Sequence, residues 1–174
     1  MKCVTAFGLP LAAAMLAPSL ACAAPPGLLG TFRNWGAYQT DTGDGKVCYA
    51  LSRPTATEPA KIKRDPAFFL INTWPARHAR AEPEIVPGFQ YKDGSSVTVQ
   101  LGSETVTFFT KNDAATGGAW VEAQADEERL VNAMKTAPEA VVTGTSRRGT
   151  VVRDTYSLSG FADALDKAQA ACGP

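Results

Sequence analysis

The sequence predicts a mainly β fold of the α+β class: an antiparallel β-sandwich or small barrel with two short helices, one internal and one C-terminal. Three observations predict it. Eight or nine short runs rich in Val, Thr, Tyr, Phe and Ile recur along the chain, separated by turn residues such as Gly, Pro, Asn and Asp. Two stretches, Asp126 to Ala137 and Ser159 to Cys172, switch to the period of a helix. Two cysteines, Cys48 and Cys172, stand near opposite ends of what remains once an N-terminal leader is set aside.

The leader is Met1 to about Ala24. Lys2 gives it a positive start, Val4 to Leu16 is almost wholly apolar, and small residues at Ala21 to Ala24 offer cleavage sites. The apolar run is short and interrupted by Pro10 and Pro18, so it reads as a cleaved secretory signal and not as a transmembrane helix. Lipidation at Cys22 is disfavoured, because Leu20 lies one place too near it for a lipobox. Residues 25–174 then form a single domain.

The elements follow in order. Pro25 to Gly27 is an extended leader-in, and Phe32 to Thr40 a first strand bent at Gly36. Asp41 to Gly45 is turn chemistry; it lacks the Glu that a calcium loop needs at its twelfth position, where Ser52 stands. In Lys46 to Ser52, Val47, Tyr49 and Leu51 alternate with Cys48, Ala50 and Ser52, which sets Cys48 in mid-strand. Pro54 to Pro66 is a polar loop, and Ala67 to Trp74 a buried central strand ended by Pro75. His78, the one histidine, sits in a loop between Arg77 and Arg80. Glu84 to Tyr91, broken by Pro87 and Gly88, is at best an edge strand. Val97 to Leu101 and Thr105 to Thr110 form a hairpin, Gly117-Gly118 turns, and Ala119 to Ala123 is a short strand. Asp126 caps the internal helix, whose apolar stripe is Leu130, Ala133, Met134 and Ala137. Val141 to Ser146 and Thr150 to Leu158 make a closing hairpin about Arg147-Arg148-Gly149, with Arg153, Thr155 and Ser157 on its wet face. Ser159 caps the last helix, and Phe161, Leu165, Ala168 and Cys172 share its buried stripe.

Of four cysteines, Cys3 and Cys22 belong to the leader. In an oxidising compartment the remaining pair, Cys48 and Cys172, is expected to form one disulfide. A closed loop of more than 100 residues contributes about 4.7 kcal/mol on the chain-entropy view. The alternative, a reactive or metal-binding pair, lacks Cys-x-x-Cys spacing and a neighbouring His.

Function is far less legible. The chain holds 17 Lys and Arg against 17 Asp and Glu, and the leader removes Lys2 and no acid, so the exported part is one unit negative. No global field for nucleic acid exists. A nucleophile elbow, a dinucleotide fingerprint, a phosphate loop and a His pair for a metal are all missing, so no cofactor, metal or catalytic residue is assigned. The candidate binding residues are Arg147 and Arg148 at the hairpin tip, then Lys61, Lys63 and Arg64 in the polar loop.

The stretch SRRGTVVRDTYSLSGFADALDKAQAAC, Ser146 to Cys172, resembles the signature of the invasion-associated locus B family of Gram-negative bacteria, most specifically at Thr155 to Phe161. Trp35 ahead of Cys48, the stretch DEERLVNAMKTA and the leader match the same layout. The resemblance implies an exported protein, periplasmic or associated with the outer membrane. It implies a binding role toward an envelope or host protein, as some members are linked to host-cell entry. It supplies no catalytic residues. Two alternatives stand beside it: a periplasmic enzyme acting on glycans through Asp or Glu, and a small-ligand carrier.

Overall fold

The structure is a computed structural model that describes residues 25–173; the leader, with Cys3 and Cys22, lies outside the described residues. The β-branched and aromatic runs pair into eleven strands: β1 (Gly27–Phe32), β2 (Trp35–Thr42), β3 (Gly45–Ser52), β4 (Ala56–Glu58), β5 (Phe68–Trp74), β6 (Ala79–Val86), β7 (Ser96–Leu101), β8 (Glu104–Asn112), β9 (Gly117–Trp120), β10 (Glu139–Thr145) and β11 (Val151–Ser157). They build one antiparallel sheet in the order β1-β2-β3-β5-β6-β9-β8-β7-β10-β11-β4. Helix α1 (Gln124–Met134) lies between β9 and β10, and α2 (Phe161–Cys172) ends the chain. The mainly β class with an internal and a terminal helix is therefore as the sequence predicts.

The sheet rolls so that β2 and β11, the second strand from either end, come together at one corner. The Trp35 indole donates to the Ser157 carbonyl at 2.9 Å, and the Asn34 N–H to the Ser159 carbonyl at 3.2 Å. This joins the start of β2 to the end of β11. Inside the roll, Trp35, Phe69, Phe108, Tyr156 and Phe161 are fully buried and touch one another edge to face, Trp35 and Phe161 at 4.8 Å between centroids and Phe69 and Tyr156 at 5.6 Å. Rings of this size dominate the burial energy of a core.

Helix α2 covers β1, β2, β3 and β5. Phe161, Leu165 and Ala168 are buried, as the spacing predicts, with Ala164 beside them, while Cys172 of the expected stripe is half-buried. At its far end Cys172 bonds Cys48, with Cα atoms 5.8 Å apart. Ala37, Cys48 and Ala168 form a small apolar cluster there, and Lys46 Nζ donates to the Ala171 carbonyl at 2.7 Å, a cation at a helix C-terminus.

Several boundaries differ from the sequence expectation. The expected first strand, Phe32 to Thr40, is chiefly β2, and an unexpected strand, β1, precedes it; the two turn at Arg33-Asn34, where Arg33 takes a positive φ of 53°, and Gly36 stays within β2. The polar loop contains β4, which pairs with β11 and so protects the far edge. The segment expected as a loop around Arg80 belongs to β6, an interior strand containing Pro83. β9 pairs with β6 only at Glu84 and Ile85, so Pro83 sits where that side of the ladder is open. Gly117 and Gly118 are in β9 and not in a turn.

Both helix caps differ too. Ala123 precedes α1 and its carbonyl accepts the Asp126 and Glu127 N–H groups, so Asp126 lies in the first turn. Gly160 precedes α2 with φ 88°, and a Cβ there would collide with the Phe32 carbonyl. That close approach needs glycine, and Ser159 does not cap.

Candidate functional site

The closing hairpin and the polar loop, whose Lys63 and Arg147 are 84 residues apart in sequence, meet at one cleft. The tip is pinned from below: the Ser146 N–H donates to the Thr150 carbonyl at 2.9 Å, and the Thr150 N–H to Ser146 Oγ at 3.1 Å. The Arg147 N–H donates to the Gln90 carbonyl at 2.8 Å, and Tyr91 bridges Ser146. Gly149, at φ 84°, completes the turn. The backbone is thus held while the Arg147 and Arg148 side chains stay exposed.

Those two arginines line a cleft of about 500 Å³ together with Lys63, Ile62, Phe89, Gln90 and Ser146. Its far wall is the turn from β8 to β9 at Ala114 and Ala115. Asp113 shapes that turn: its Oδ1 accepts the Ala115 and Thr116 N–H groups, each at 2.7 Å, and these bonds hold its carboxyl below its usual pKa. No acid lines the cleft, and Lys63, Arg147 and Arg148 make no salt bridge among the described residues. An anionic group placed here would meet three unneutralised cations. Lys61 is exposed on the same loop but does not line the cleft.

Arg64 is a correction to the expected patch. It is not a surface cation: its side chain is 8 % exposed and faces Asp154, itself 6 % exposed. Nη1 donates to Asp154 Oδ2 at 2.7 Å and to the Pro87 carbonyl at 3.0 Å, and Nη2 donates to Thr57 Oγ1 at 3.0 Å. Thr57 donates in turn to Asp154 at 2.7 Å, and the guanidinium lies 5.9 Å from the Phe89 ring centroid. Both carboxylate oxygens of Asp154 and both terminal nitrogens of Arg64 have partners, which is what makes burial of two charges tolerable. Arg64 therefore positions the loop that carries Lys63. A signal for it exists in the sequence: Asp154 alternates in register with Val152, Tyr156 and Leu158 on the dry face of β11, and a dry carboxylate calls for a cation.

Tyr91 and Tyr156 flank the pair. Burial pushes both phenols above their ordinary range; the negative charge of Asp154 adds to this, and Arg64 offsets part of it. Both hydroxyls therefore stay neutral. His78 is exposed at the end of a short 3-10 turn, Pro75–Arg77, with φ 55°. The expected turn at Asp41 to Gly45 joins β2 to β3, and the Thr42 hydroxyl donates to the Gly45 carbonyl at 2.8 Å. Among the described residues, no helix is long and apolar enough to cross a membrane.

The fold and the cleft define a disulfide-closed, rolled antiparallel sheet with a basic concave surface. The family model described as Invasion associated locus B (IalB) protein matches residues 35–169, and the chain belongs to that family. Among solved structures it is similar to the crystal structure of invasion associated protein b from Bartonella henselae, with a TM-score of 0.57 at 14 % identity, covering 82 % of this chain and 95 % of that one. At that identity the likeness is one of fold. No curated protein matches the chain in sequence.

Proposed function

We propose that this is an exported envelope protein, periplasmic or associated with the outer membrane, that binds an anionic face of an envelope component or protein and performs no chemistry of its own. One observation carries it: Lys63, Arg147 and Arg148, from two distant segments, converge on a cleft with no acid in its lining. Arginine forks suit carboxylate and phosphate groups, which both anionic lipids and acidic protein surfaces offer. The family's name supports a host-cell surface as a second place where such a partner is met.

The carrier alternative needs an apolar cavity of several hundred Å³ inside the sheet. The string of rings from Trp35 to Phe108 occupies that space instead. Binding to envelope fractions is the test. Wild type should associate at low salt, and Lys63→Ser with Arg147→Ser and Arg148→Ser should not. Equal association of both proteins, or a measured turnover on an envelope substrate, would overturn the proposal.

A further inference from the structure

A second cleft lies on the outer face of the sheet and shares no residue with the basic one. The ladder pairs Leu70 with Glu84, Glu84 with Trp120, and Trp120 with Phe109, so these side chains stand in one row across β5, β6, β9 and β8. Neighbours in such a row are about 4.5–5.5 Å apart at Cβ. One step along the strands, Asn72 pairs with Glu82. Glu82 and Glu84 are two residues apart on β6, hence on the same face with Cα atoms about 7 Å apart. Trp74 and Arg77 close the groove on one side and Lys111 on the other, around about 400 Å³.

The outer face of a sheet is usually where polar residues meet water. Here it gathers two tryptophans, a phenylalanine and two carboxylates. Trp120 lies flat over Gly118, where any Cβ would strike its ring, and Phe109 packs 6.1 Å from it and is 37 % exposed. The floor is polar and costly: Asn72 is 4 % exposed and donates to Glu84 Oε2 at 2.8 Å. Burial, with Glu82 nearby, raises the Glu84 pKa. Trp74 keeps an indole N–H with no acceptor. An apolar wall with a few placed polar groups is the make-up of a small-ligand site.

Charge balance selects the guest. Arg77 sits 4.3 Å over the Trp74 ring and pairs with Asp44 at 2.7 Å; Lys111 sits 5.4 Å over the Phe109 ring. A cationic guest would meet Arg77 over the Trp74 ring and Lys111 over the Phe109 ring, and an anionic guest would meet Glu82 and Glu84. A neutral guest with many hydroxyls meets neither obstacle. It lays the apolar face of its ring on an aromatic side chain, donates to the carboxylates and accepts from Lys111. We propose that this groove is a saccharide-binding site for an uncharged glycan, with Trp120 as the platform and Glu82 and Glu84, the latter held by Asn72, as the groups that read its hydroxyls.

Titration with chitotriose, cellotriose and a lysine-rich peptide tests this, followed by calorimetry and by indole fluorescence. Trp35 is buried in the core, so Trp74 and Trp120 report on the groove. One of the two saccharides should bind saturably. Trp120→Ala should weaken that binding about tenfold or more, Trp120→Phe should retain most of it, and the Glu82→Gln, Glu84→Gln pair should weaken it about tenfold. The Gln pair keeps shape and covers the case in which Trp120→Ala fails to fold. Arg147→Ser with Arg148→Ser should bind saccharide as wild type does, which separates this site from the basic cleft. Absence of a saturable response to either saccharide at about 10 mM, variants that bind like wild type, or preference for the peptide would each overturn it.

Discussion

Cys48 and Cys172 tie the rolled sheet on one flank with a covalent bond, while Arg64 and Asp154 tie the other with a buried ion pair. Both join distant parts of the chain, 124 and 90 residues apart. They act on different states. The disulfide limits the unfolded ensemble and depends little on the exact local packing. The ion pair exists only in the native fold, and it dictates where one loop lies. That loop brings Lys63 to the basic cleft, so the ionic tie stands behind the candidate site and the covalent one does not.

The largest expected effect comes from the covalent tie. Replacing Cys48 and Cys172 together by Ser should lower stability by about 4–5 kcal/mol, read by urea denaturation. Because a domain is commonly stable by about 5–15 kcal/mol, the variant is near its limit. Whatever remains folded at low temperature should still bind at the basic cleft. Loss of that binding in a folded variant would show that the two flanks are not independent.

Next comes the ionic tie. Asp154→Ala strands a buried guanidinium and should cost about 3–5 kcal/mol. It should also weaken envelope binding, because the loop carrying Lys63 loses its anchor. Arg64→Met with Asp154→Leu should recover most of the stability, since apolar residues of similar volume replace buried pairs well. Recovered stability without recovered binding would sharpen the comparison further, separating loop position from fold.

The two ties also differ in how legible they were. Cys48 and Cys172 follow from counting cysteines outside the leader, and the helix stripe that carries Cys172 follows from spacing. The ion pair is hidden because a run such as Lys61 to Arg64 looks like one solvated patch, whereas the structure exposes Lys61 and Lys63 and buries Arg64. Strand periodicity located β2, β3, β5, β7, β8, β10 and β11 but missed β1 and β4, the latter because its three residues carry no pattern, took the start of β9 for a turn, and obscured β6 behind Pro83 and Pro87. Helix caps failed for one reason: backbone geometry at Ala123 and Gly160 overrode the side-chain signals of Asp126 and Ser159. The outer groove was out of reach, because its row of Leu70, Glu84, Trp120 and Phe109 exists only once four strands are in register.

A smaller effect concerns Glu84. Its folded pKa is raised above the ordinary 4.5, so the folded state favours the protonated carboxyl. The stability this gives is present below the unfolded value and lost as pH rises through the folded one. Glu84→Gln should therefore raise Tm relative to wild type more at pH 7 than at pH 4. An equal shift at both pH values would contradict the raised pKa.

The smallest effect on stability belongs to the cleft itself. Arg147→Ser with Arg148→Ser touches exposed side chains and should change stability by less than about 0.5 kcal/mol. Its effect on binding should be large and most visible at low salt, where exposed charges are least screened.

The most direct measurement is co-sedimentation with isolated envelope fractions over a salt series, comparing wild type with the Lys63→Ser, Arg147→Ser, Arg148→Ser variant. Wild type should sediment with the envelope at low ionic strength and come off as salt rises, while the folded variant stays in the supernatant throughout. Identical sedimentation of the two proteins at every salt concentration would contradict binding through the basic cleft.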